Sequence, residues 1–230
     1  LGNIIIGYDE NTADDKSGSH NLVVGMNHTY SSFGGLVAGK DNAITSGSAS
    51  ILGGEANSAS GFASTIPGGL LNQATANHTT TSGGEGNSSS GYASAVSGGK
   101  YNIASGEYSS VSGGSSNSAS GDYSSVSGGA DNNATADSSS VSGGYANTAS
   151  GSTSSVIGGN HNTASGWLSV VSGGSQNNAV GVSSIVSGGQ SNTASGLMSA
   201  AIGGTVNTAS NGFSSVFGGQ NNTSSSYASS

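Results

Sequence analysis

The chain has 230 residues, with three lysines, no arginine, eleven acidic residues, a formal net charge of −8 and no cysteine. The acidic balance excludes a nucleic-acid partner, which needs clustered Lys and Arg, and electrostatic docking on anionic membranes. Without cysteine there is no disulfide staple and no thiolate metal site, and no run of 18 apolar residues is present to span a membrane.

Glycine accounts for 42 residues and charged residues for 6%. Composition alone would suggest a flexible linker, but a linker has no reason to keep register, and this chain repeats strictly. All eleven acids precede residue 138, and residues 138–230 carry no Asp, Glu, Lys or Arg. We read the chain as a segment of a longer protein whose targeting and anchoring parts lie elsewhere.

Residues 1–35 are expected to form irregular cap coils. Asn3 to Gly7 and Asn21 to Gly25 look like strand-plus-corner units. Between them, Tyr8 to His20 carries Asp9, Glu10, Asp14, Asp15 and Lys16, and reads as a looped-out first coil, since the terminal repeats of an array must differ from the interior ones. A calcium site built from Asp9, Asp14 and Asp15 is conceivable, but their spacing does not follow the EF-hand pattern. The preferred reading is a solvated acidic loop.

Residues 36–230 are expected to form the regular array. Glycine pairs begin at positions 53, 68, 83 and onward at the same interval to 218, and an asparagine stands at the third position after each pair, from Asn57 to Asn222. The asparagine row continues backwards through Asn42 and Asn27. The idealised unit is N-x-A-S-G-x-x-S-x-V-S-G-G-x-x. Within it, Asn57, Ala59 and Gly61 alternate with other residues, as do Ser64, Ile66 and Gly68. A spacing of two means strand with one face inward. The expected fold is all-β: a parallel β-solenoid, or β-roll, with two short strands in each coil and about 13 to 14 coils.

Each row then has its own task. Ile66, Val96, Val111 and Val126 belong to the apolar core stripe, and the Ala59 row faces it. The Ser row, including Ser109 and Ser124, points inward, where a hydroxyl can bond the backbone of an adjacent coil. The Asn row, including Asn57, Asn117 and Asn147, is expected to form a buried ladder, each amide donating to the next.

Two glycine corners close each coil. The first (Gly61, Gly91, Gly106 and onward) has Ala76, Ala136, Asn211 and Ser226 as exceptions, and is read as a position where φ is positive. The second is the glycine pair, read as a tight bend with close backbone approach. After the first corner come Phe62, Tyr92, Tyr108, Tyr123, Trp167, Met198 and Phe213; after the pair come mostly polar residues such as Glu85, Asn160 and Gln176. One edge is therefore expected to be apolar, which usually marks an interface. One Val and one Ala per coil bury little apolar area against the entropy cost of ordering the whole coil, so self-association along that edge is expected.

The segment ASGEYSSVSGG, Ala104 to Gly114, resembles the head repeat of trimeric autotransporter adhesins, the YadA-like heads, which alternate S-x-A-x-G-x-x. The resemblance covers roughly residues 36–230, and Ile4 to Gly39 looks like the start of such arrays in large bacterial surface proteins. The present unit departs from the commonest pattern by one extra glycine per coil and by Asn in place of one Ser. The resemblance implies a left-handed parallel β-roll, a homotrimer, an extracellular or bacterial cell-surface location, and binding to a host surface, matrix protein or glycan.

Catalytic chemistry finds no support. His20, His28, His78 and His161 are scattered, the glycine pairs are not phosphate loops, and acid pairs lack a cleft, so no enzyme activity, cofactor or metal is expected. Asn77-His78-Thr79 forms an N-x-S/T triplet, set aside as part of the inward Asn row. Two other functions remain open beside the adhesin. Thr148, Thr163, Thr193, Thr208 and Thr223, each followed two residues on by Ser, could present a flat ice-binding face. A viral or tail-fibre shaft would use the same repeat for reach.

Overall fold

The structure, a computed structural model, describes residues 2–8 and 13–228. It is an all-β parallel β-solenoid of about 14 turns with two strands per coil, and no described residue is helical. Contacts divide the chain into two compact units, 1–115 and 116–230.

In the first unit, one sheet starts with Ile4–Ile6, Leu22–Met26 and Leu36–Lys40 and continues through two-residue strands such as Ala95–Val96 and Ser110–Val111. This is the valine sheet. The other, the alanine sheet, begins at Thr29–Tyr30 and includes Ser58–Ala59 and Ile103–Ala104. Every pairing is parallel and in register, Val96 with Val111 and Ser89 with Ala104. The second unit repeats the plan from Ser118–Ala119 to Thr223–Ser224, with Val126 on Val141 and Ala149 on Ala164.

The coils change length along the first unit. Ile4 pairs with Leu22, which makes the first coil the longest. Leu22 then pairs with Leu36 and Leu36 with Ser50, each coil one residue shorter than the one in which Ser50 pairs with Thr65. Lys40 bridges to Glu55 while Leu36 pairs with Ser50, so the added residue falls at the glycine-pair corner. Gly39 packs against Gly54, not Gly53, which makes the first glycine of each pair the insertion.

The core is thin and alternates as the rows require. Val96, Val111 and Val126 are buried, as are Ala59, Ala104 and Ala119 facing them, and so are Ser109 and Ser124. Asn57, Asn117 and Asn147 are buried too. The asparagines bond the backbone, not one another in a chain of amides. Asn87 Oδ1 accepts the N–H of Asn102 at 2.9 Å, and its Nδ2 donates to Gly83 O at 2.7 Å and Gly99 O at 2.8 Å. The second unit repeats this at Asn147, whose Nδ2 donates to Gly143 O and Gly159 O, both at 2.9 Å. A direct amide-to-amide bond occurs at Asn57, whose Nδ2 reaches Asn42 Oδ1 at 3.1 Å.

Four expectations are corrected. Asn27 is not part of the ladder. Thr29 pairs with Ala43, so His28 occupies the position of Asn42. His28 is fully buried, with Nε2 3.1 Å from Val24 O and Nδ1 accepting the Asn42 N–H at 3.3 Å. The first-corner glycines do not have positive φ. They are needed because a Cβ on Gly61 or Gly91 would lie 1.8 or 2.0 Å from a carbonyl oxygen of the next coil. Positive φ falls two residues later and on non-glycine residues, among them His78 (61°), Tyr108 (55°) and Thr153 (58°).

The left-handed conformation costs an L-residue about 1 kcal/mol or more, and is an outlier for a β-branched one such as Thr153 or Val206. What holds it is a bond to the coil before. Tyr108 N–H donates to Tyr92 O at 2.8 Å and Val206 N–H to Gln190 O at 2.9 Å. The third correction concerns only the first member of the glycine pair, since the close approach expected of the pair holds at the second. A Cβ on Gly99 would meet Gly114 O at 2.2 Å and Asn102 Nδ2 at 2.6 Å, whereas a Cβ on Gly98 would meet nothing within 4 Å. Fourth, inward serines often bond their own corner: Ser109 Oγ donates to Gly106 O at 2.7 Å, and only some, such as Ser94 to Ala104 O, reach the next coil. The hydroxyls of Ser124, Ser139, Ser169 and Ser184 have no protein partner among the described residues.

Candidate interaction surfaces

The first corner projects side chains outward because the left-handed residue turns the chain sharply there. In the first unit this builds a ladder of rings. Phe62 meets His78 at 5.9 Å between centroids, His78 meets Tyr92 at 5.6 Å, and Tyr92 meets Tyr108 at 5.5 Å, all edge to face. Such pairs contribute about 0.5–1.5 kcal/mol each beyond area burial. Every ring in the ladder remains exposed on its outer side.

In the second unit, Tyr123 stands at 64% exposure, and the next two coils place Asp137-Ser138 and Ser152-Thr153 at this corner, so the apolar strip is interrupted there. It resumes at Trp167 (55% exposed) and continues through Leu168, Leu197, Met198 (53%) and Phe213. Phe213 packs edge to face on Tyr227 at 5.4 Å. All seven predicted corner residues, Phe62, Tyr92, Tyr108, Tyr123, Trp167, Met198 and Phe213, are exposed. Within the second unit they are not continuous, because Asp137, Ser138, Ser152 and Thr153 occupy the corner between Tyr123 and Trp167.

The glycine-pair corner is mostly polar, as expected, but carries apolar side chains as well. Leu70, Leu71, Tyr101, Tyr145 and Val206 are exposed on it. It also carries the ion pairs. Lys100 Nζ lies 3.1 Å from Glu85 Oε1 and 4.9 Å over the Tyr101 ring, and Lys40 pairs with Glu55 and Asp41. The Glu85 carboxylate, first through its hydrogen bond and then through its charge, holds the Lys100 ammonium above the ordinary lysine range. Glu55, followed by Asp41, does the same for Lys40.

The Thr row lies outward on the alanine sheet of the second unit. Thr148 pairs with Thr163, and Thr193 with Thr208 and Thr208 with Thr223, each coil directly above the last. The first four are half-buried and Thr223 is exposed. None of their hydroxyls has a protein hydrogen-bond partner among the described residues. Asn133 and Asn178 hold the same row position in coils between and before them.

Of the acidic loop, Asp9 lies outside the described residues. Hydrogen bonds from Ser17, its hydroxyl first and its N–H second, hold the Asp15 carboxyl below the usual carboxylate range. Among the described residues, no three His, Asp or Glu side chains gather as a metal site. Asn77 is on the exposed first corner, not in the buried Asn row, and its Oδ1 accepts the Phe62 N–H at 3.0 Å.

One pair was missed from the sequence. Thr81 stands in the valine row and Ser89 in the alanine row, both buried. Thr81 Oγ1 donates to Gln73 O at 2.7 Å and contacts Ser89 Oγ at 2.9 Å, and Ser89 Oγ donates to Thr80 O at 3.0 Å. Each polar intruder is satisfied by a backbone carbonyl across the core, and the two oxygens stand side by side; the signal was that both rows break within one coil. Neither the protein-family models nor the curated protein sequences yield a match to this chain.

Proposed function

We propose that this chain is a non-catalytic segment of an extracellular adhesin or surface fibre, akin to the head repeats of trimeric autotransporter adhesins, and that it associates as a homotrimer. The observation that carries this reading is the run of exposed apolar side chains from Trp167 through Leu197 and Met198 to Phe213. Large exposed apolar patches mark interfaces. The occupant is a second copy of this chain, because every copy carries the same strip, and identical strips pair around a common axis. Clustering of three thin arrays would bury the corners that each leaves in water. Host matrix or glycan would then be met by the remaining faces. A tail-fibre shaft would use the same association for reach.

The double variant Trp167→Ser with Met198→Ser tests the reading by sedimentation. Both side chains point outward, so the β circular-dichroism signal is expected to persist while the assembly falls to single chains. An unchanged mass in a folded variant would contradict this interface.

A further inference from the structure

We propose that the outward face of the alanine sheet in the second unit binds ice. The inference does not rest on the self-association reading and goes beyond it. Thr148 pairs directly with Thr163, and Thr193 with Thr208, with Asn178 between the two pairs in the same row. Ser150, Ser165, Ser195 and Ser210 follow two residues on, which places them on the same outward face.

The two rows form a grid. Neighbouring strands lie about 4.8 Å apart, and residues two apart along a strand about 6.7 Å. A tetrahedral water network with O···O of about 2.75 Å places second neighbours about 4.5 Å apart and repeats along its stacking axis at eight-thirds of that bond, about 7.3 Å. The grid is therefore close to the water lattice in both directions. The misfit is about 0.3 Å per coil, small enough for two or three coils to stay in step.

The chemistry suits a neutral, ordered solvent. The four Thr hydroxyls are free of protein partners, and Thr holds χ1 stiffly, so hydroxyl and methyl keep fixed places. Residues 138–230 bear no Asp, Glu, Lys or Arg, so no ionised side chain from that stretch lies in or beside the rows to impose its own hydration shell. Other faces lack this regularity. The corresponding row of the first unit reads Ser58, Gln73, Ser88 and Ile103, and the valine sheet exposes Ile157, Ile202 and Phe217. The face is interrupted at Asn178 and Val180, which splits it into two short patches.

The test uses the full 230-residue chain. Freezing hysteresis and ice-crystal shape are measured for the wild type, for Thr163→Lys with Thr208→Lys, and for Ser140→Lys on the outer face of the valine sheet. Circular dichroism confirms that each is folded. The expected result is hysteresis and faceted crystals with the wild type and Ser140→Lys, and loss of both with the double Thr variant. Wild-type protein that leaves ice growth unaltered would overturn the proposal, and so would a double variant that keeps full hysteresis. Retention on crystalline cellulose without any effect on ice would also overturn it, assigning the grid to a neutral polysaccharide instead.

Discussion

The side-chain oxygen of Asn87 accepts the backbone N–H of Asn102, one coil further on, at 2.9 Å. With its two donated bonds to Gly83 O and Gly99 O, one amide satisfies three backbone groups of two coils. Asn87→Ala leaves the Asn102 N–H and Gly83 O without that partner, while Gly99 O keeps the N–H of Glu85 at 3.0 Å, so a loss of about 2 kcal/mol in urea unfolding is expected. Asn87→Asp should be at least as damaging at neutral pH, because a carboxylate accepts but cannot donate and its charge is buried. Equal stability of the wild type and Asn87→Ala would remove the ladder from this account.

The two members of a glycine pair should respond oppositely to the same change. Gly98→Ala places its methyl in open space and is expected to shift stability by less than about 1 kcal/mol. Gly99→Ala drives a Cβ into Gly114 O and the Asn102 amide at a positive φ of 87°, and should prevent folding of that corner. Hydrogen exchange at the amides of positions 100–115 reads the difference.

Much of this architecture is legible in the sequence, and the reason is periodicity. A spacing of two assigns Val111, Ala119, Ser109 and Asn117 to the inside, and all four are buried. Spacing does not report the sign of φ, so the glycines of the first corner were credited with a conformation that Tyr108 and Thr153 adopt. Nor does it reveal which coil a donor reaches, since that depends on stacking. His28 escaped notice because the early coils are one residue shorter than the later period, so counting back from Asn42 at that period falls on Asn27. The apolar corner was legible residue by residue, but its interruption by Asp137, Ser138, Ser152 and Thr153 was overlooked because only the apolar members were followed.

Thr81 and Ser89 provide a coupling experiment. Either Thr81→Val or Ser89→Ala alone sets a methyl against the remaining hydroxyl in place of the 2.9 Å contact and takes one donor from a backbone carbonyl, Gln73 O or Thr80 O. Together they restore the ordinary apolar rows. The double variant is expected to be as stable as the wild type or more so, with a coupling of about 1 kcal/mol between the two sites. Strictly additive losses would show that the hydroxyls act independently.

The Lys100–Glu85 pair has a signed pH dependence. The ammonium is held above the ordinary lysine range in the folded chain, so its contribution is complete below that range and is lost as pH rises through and beyond it. Both side chains are exposed, so the effect is small and screened by salt. The melting-temperature difference between the wild type and Glu85→Gln should shrink on passing above the lysine range, and also on adding salt at neutral pH. A difference constant across both changes would show that the pair carries no charge-based stabilisation.

The most direct measurement for self-association along the apolar corner is the absolute mass of the wild-type chain in solution by light scattering. The account predicts three times the 21.8 kDa of one chain. A stable, folded species of 21.8 kDa at working concentrations would contradict it, leaving Trp167, Met198 and Phe213 in water without a partner copy.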